Sequence, residues 1–80
     1  MKMKLPILSG SDMVKLLSKT GFQTLEQHGS HVILLKTAEG RKLKPVVPLH
    51  RELAIGTLLS ILKQAGLSRE KFIELYEGKR

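Results

Sequence analysis

The chain has 80 residues, with 14 Lys and Arg against 7 Asp and Glu for a formal charge of +7, and it contains no cysteine. A body this small buries only roughly 60–65% of its unfolded surface, which excludes a multidomain enzyme with a built-in cofactor fold and leaves one compact domain. The lack of cysteine excludes disulfide frameworks, Cys-based zinc sites, iron–sulfur clusters and thiol catalysis.

The N-terminus reads Met1-Lys2-Met3-Lys4, and the apolar run after it, residues 5–8, is broken by Pro6. A signal peptide needs an apolar stretch of about 7–15 residues and a membrane span about 20, so the expectation is a cytoplasmic protein with no membrane partner. Ser9 then suits a helix N-cap, with Asp12 in the acidic position of a capping box. Met13, Val14, Leu16 and Leu17 give the helix an apolar stripe, and Gly21 suits the left-handed residue that ends it, with Phe22 folding back. The first helix is expected over about residues 10–20.

Residues 22–28 lose the helical period, and Val32-Ile33-Leu34-Leu35 reads as strand. Gly29-Ser30 between them fits a two-residue hairpin turn of type II′, with glycine supplying the positive φ. A second turn at Thr37-Ala38-Glu39-Gly40 leads into a third strand within residues 41–48. Pro45 and Pro48 cannot donate ladder bonds, so this strand is expected at an edge or to end early. The helical stripe returns at Ile55, Leu58, Leu59, Ile61, Leu62 and Ala65, closed by Gly66 and Leu67. Ser68 caps a last short helix carrying Phe72, Ile73, Leu75 and Tyr76. The order α-β-β-β-α plus an extra C-terminal helix predicts an α+β fold, with a three-stranded antiparallel sheet and helices on one face. That is the layout of double-stranded-RNA-binding domains. With no linker or repeat, residues 1–80 form a single domain whose ordered core is expected over about residues 5–77.

A charge of +7 on so small a body suits polyanionic partners, nucleic acid foremost, although an ordinary basic surface is equally compatible with it. Three histidines carry the remaining chemistry. His28 and His31 flank the hairpin turn; with Glu26 or His50 they could hold a metal, they could be plain exposed turn residues, or they could do acid–base work on RNA. In the last case the 2′-hydroxyl is the nucleophile, a base removes its proton, an acid protonates the departing 5′-oxygen, and no metal is required. Lys36, Arg41, Lys42, Lys44 and Arg51 lie near the hairpin in sequence and could clamp phosphate. Phe22, Phe72 and Tyr76 are absorbed by caps and stripes, which leaves no stacking platform for bases and argues for recognition of phosphates and sugars. Gly56 and Thr57 at the start of the Ile55 helix offer backbone N–H groups to an anion, and no Gly-rich phosphate loop or other cofactor motif is present.

The stretches Leu8-Ser9-Gly10, residues 17–22, Gly29-Ser30-His31, Val47-Pro48 followed by His50, Gly56-Thr57-Leu58, Ile61-Leu62, Ala65-Gly66-Leu67-Ser68 and Phe72 together resemble the HicA toxins, small mRNA interferases of type II toxin–antitoxin systems. The resemblance runs over almost the whole chain and implies the double-stranded-RNA-binding-domain-like fold. It implies metal-independent endoribonuclease activity on mRNA without a cofactor, with His31 as the catalytic residue and Gly29 and Ser30 forming the turn before it. Lys36, Arg41, Lys42 and Lys44 are then the expected RNA-binding cations. The family often carries a second histidine directly after the first, whereas this chain has Val32. The resemblance further implies a HicB-like antitoxin partner. The competing expectation is a non-catalytic RNA-binding module of the same fold.

Overall fold

A computed structural model describes residues 5–78; of the free ends expected at residues 1–4 and 78–80, all but Gly78 lie outside it. Helix α1 spans Gly10–Ser18 and starts with the expected capping box. The Ser9 hydroxyl accepts the Asp12 N–H at 3.1 Å, and the Asp12 carboxylate accepts the Ser9 N–H at 3.4 Å. The regular helix stops two residues short of Thr20 because its last bonds tighten to i→i−3, from Lys19 to Leu16 and from Thr20 to Leu17. Gly21, at φ 99°, then donates to Ser18 while Phe22 donates to Leu17, the paired pattern of a Schellman motif. Phe22 is thereby folded into the core.

Strands β1 (Gln23–His28) and β2 (His31–Ala38) pair antiparallel about the Gly29-Ser30 turn. Gly29 has φ 59° and Ser30 is not among the positive-φ residues, as a type II′ turn requires. Glu39 and Gly40 both take positive φ, 52° and 76°, and form a two-residue turn into the third strand. That strand consists of two segments, β3 (Arg41–Leu43) and β4 (Val46–Pro48). Both hold the same register on β2: Leu43 lies opposite Lys36, and Val46 opposite Ile33. The gap falls at Lys44-Pro45, where proline has no N–H to give, yet the Pro45 carbonyl still accepts the Leu34 N–H at 3.0 Å. The expected three-stranded sheet is therefore present, with β2 in the centre and an interrupted edge strand. Gln64 from the next helix reaches that edge and accepts the Val46 N–H at 3.0 Å.

Helix α2 spans Ile55–Ala65 and ends at Gly66 with φ 70°; helix α3 spans Arg69–Tyr76 and is capped by the Ser68 hydroxyl. The helices lie on one face of the sheet. Met13, Leu16 and Leu17 of α1 and Leu58, Ile61 and Leu62 of α2 join Val32, Leu34 and Val47 in one core, to which α3 adds Phe72. Fully burying one such leucine contributes about 1.5–3 kcal/mol. All buried side chains among the described residues are apolar. No helix there is long and apolar enough to cross a membrane.

Three backbone bonds bring the chain after β4 to the hairpin and to the N-terminal segment: Leu49 N–H to Ser30 at 2.6 Å, Gly10 N–H to His50 at 2.9 Å, and Leu53 N–H to Leu8 at 2.9 Å. The approach at Gly10 is so close that a Cβ there would overlap the Pro48 carbonyl oxygen.

Candidate active site

Strand alternation divides the chemistry between the two faces of the sheet. Val32 and Leu34 are buried under the helices, so His31, Ile33, Leu35 and Thr37 lie on the opposite, open face. Residues directly paired across an antiparallel ladder share a face. His28 is opposite His31 and Glu26 opposite Ile33, so both belong to the open face. Strand β1 is exposed along its whole length; on the helix-bearing face Thr24 and Gln27, paired with Leu34 and Val32, offer the helical layer nothing apolar to bury. A bulge at Leu25, between the Thr24 and Glu26 pairings, keeps Glu26 and His28 in step with Ile33 and His31.

His31 is exposed at the turn end of the open face, flanked in register by His28 on one side and Pro48 on the other. His28 Nε2 lies 2.9 Å from Glu26 Oε1, an ion pair whenever the ring is protonated. Gly29 is positioned by the Gln27 amide, which donates to its carbonyl at 3.1 Å, and the Ser30 carbonyl holds Leu49. The turn is thus anchored on both sides while its histidines face outward.

The basic residues separate. Lys42 pairs with Thr37 and so lies on the face of His31. Lys44, opposite Leu35 by the shared register of β3 and β4, joins it there. Along β2 these partner positions lie about 20 Å and about 13 Å from His31 at about 3.3 Å per residue. Lys36 and Arg41 take the helix-bearing face instead. The Lys36 ammonium sits 5.6 Å from the centre of the Phe22 ring, and both cations line a cleft with Glu39, Leu43 and Gly66. The stretch from Lys36 to Lys44, continuous in sequence, is two cationic patches in space.

Ala54, the N-cap of α2, makes no side-chain hydrogen bond to the first turn. Among the described residues, no group of three or more His, Asp or Glu is placed to hold a metal ion. Sequence reasoning named Glu26 beside His28 only as a candidate metal ligand and passed over their direct pairing. The signal was available, since an i, i+2 spacing on a strand puts both side chains on one face.

Compared with known families, residues 10–67 match a family model described as HicA toxin of bacterial toxin-antitoxin. No curated protein is similar enough to count as a match.

Proposed function

The chain belongs to the HicA toxin family of bacterial toxin–antitoxin systems, and from that premise we propose that it is a metal-independent endoribonuclease acting on mRNA in the cytoplasm, with His31 at the reacting linkage. The 2′-hydroxyl attacks the adjacent phosphorus, the bond to the 5′-oxygen breaks, and the products are a 2′,3′-cyclic phosphate and a 5′-hydroxyl. A histidine moves one of the two protons, a role that contributes about 10²–10⁴-fold. The observation that carries this reading is the exposed position of His31 behind the Gly29-Ser30 turn, on the sheet face opposite the described helices.

RNA then runs along the open face past Lys44 and Lys42, with the turn residues Gly29 and Ser30 against the sugar–phosphate at the cleaved position. Lys36 and Arg41 serve a part of the RNA that passes around the sheet edge. As the toxin of such a system the chain has an antitoxin partner, which we take to be HicB-like and to cover the same face. Half-buried Ile33 and Leu35 and exposed Val46 provide an apolar strip for it there, and a charge of +7 steers an acidic partner towards it.

The test is cleavage of a long single-stranded RNA by the purified chain in excess EDTA, with His31→Ala alongside. Cleavage by the unaltered chain alone is expected. RNA bound but cut by neither protein would instead favour a non-catalytic binding module.

A further inference from the structure

We propose that His28 is a second catalytic residue, the general acid that protonates the departing 5′-oxygen, and that Glu26 is its positioning residue. This rests on the ribonuclease reading above and deepens it, because one histidine leaves the second proton transfer without a donor. Two groups near the hairpin in sequence could fill that role, Lys36 and His28. Lys36 lies on the opposite face of the sheet, its ammonium over the Phe22 ring. His28 lies directly across the ladder from His31 on the same face, where paired Cβ atoms are about 4.5–5.5 Å apart. From that spacing two rings can splay to either side of one phosphate.

The two rings differ in their surroundings, and the difference assigns the roles. Glu26 Oε1 engages His28 Nε2 at 2.9 Å. A carboxylate on one ring nitrogen fixes the ring's orientation and balances the charge of the imidazolium. Nδ1 then carries the proton available for transfer, and the side chain is 70% exposed, so RNA can reach it. No carboxylate bonds His31 among the described residues, so the ring with a carboxylate partner is assigned the acid and the ring without one the base. The charged and titratable groups near His28 in the ladder are Glu26 on its own strand and His31 on β2; the β4 residue at this level is Pro48.

In the step, the 2′-hydroxyl proton goes to His31 as the 2′-oxygen bonds phosphorus. The bond from phosphorus to the 5′-oxygen breaks as His28 gives its proton to that oxygen. One proton is taken up and one released, and no oxidant or reductant takes part.

The test uses two short RNAs of the same sequence. One has a natural linkage at the cleaved position, and in the other sulfur replaces the bridging 5′-oxygen. A thiolate leaves without a proton, so loss of the acid is invisible on the second RNA. His28→Ala is expected to slow cleavage of the natural linkage by about 10²–10⁴-fold and to leave the sulfur-bridged linkage within a few-fold of the unaltered chain. Glu26→Ala is expected to show the same pattern with a smaller loss, whereas a merely structural role would slow both RNAs alike. His31→Ala should slow both. Equal slowing of both RNAs by His28→Ala, or slowing of neither, overturns the assignment of His28 while leaving the ribonuclease reading in place. Failure of the unaltered chain to cut either RNA, or full activity of His31→Ala, overturns that reading itself.

Discussion

The His31 side chain is exposed and makes no hydrogen bond among the described residues, its ladder pairing being left to the backbone, so its substitution separates chemistry from folding. His31→Ala is expected to abolish cleavage while leaving the unfolding midpoint and the RNA affinity close to those of the unaltered chain. A fall in the midpoint large enough to explain the lost activity would remove the case for a catalytic role. Gly10 is the opposite kind of residue. It carries no chemistry, but a methyl group there meets the Pro48 carbonyl and the Leu49 backbone, both held in place by the bonds that tie residues 49–53 to the hairpin and to Leu8. Gly10→Ala is therefore expected to cost about 1–3 kcal/mol as overpacking, read from a denaturant midpoint, and an unchanged midpoint would show that the loop moves aside freely.

Among the elements, α1 depends most visibly on local sequence. Ser9→Ala removes the hydroxyl that accepts the Asp12 N–H and half of the capping box, with an expected loss of about 1 kcal/mol and no change in the denaturant m-value. Such caps are local chemistry, which is why the ends of α2 and α3 were readable from Gly66 and Ser68 and the first turn from Gly29-Ser30. The third strand was half readable. Pro45 and Pro48 pointed to an edge strand or an early end, but that the strand breaks and resumes in one register on β2 follows from the Glu39-Gly40 turn and from pairing with β2. The faces of the sheet were not readable either. Lys36, Arg41, Lys42 and Lys44 look like one run, and only the burial of Val32 and Leu34 tells which alternate positions the helices cover. Nor could the sequence show that residues 49–53 close against the turn, because backbone carbonyls and amides make those bonds and every residue has them.

At the scale of the whole molecule, the proposed RNA binding by a body of charge +7 should depend on salt. Removing a lysine that touches phosphate should lower the slope of log affinity against log salt by about 0.7 for single-stranded RNA. Lys44→Ala and Lys42→Ala on the open face are expected to do so. Lys36→Ala is expected to change the slope less, its ammonium being engaged by the Phe22 ring. Equal losses at all three positions would mean that the Lys36 ammonium meets phosphate as freely as those of Lys42 and Lys44. The family was legible because Gly29-Ser30-His31, Val47-Pro48 and the Gly56-Thr57-Leu58 start of the Ile55 helix follow one another in a specific order and spacing along the chain, though each is weak alone. The chemistry itself is tested most sharply by the ends of the RNA fragments. If His31 drives attack by the 2′-hydroxyl, the cut RNA carries a 2′,3′-cyclic phosphate and a 5′-hydroxyl, and RNA with a 2′-deoxy sugar at the cleaved position is left intact. Fragments with a 3′-hydroxyl and a 5′-phosphate, or cleavage of the deoxy-substituted RNA, would show that water rather than the 2′-hydroxyl is the nucleophile.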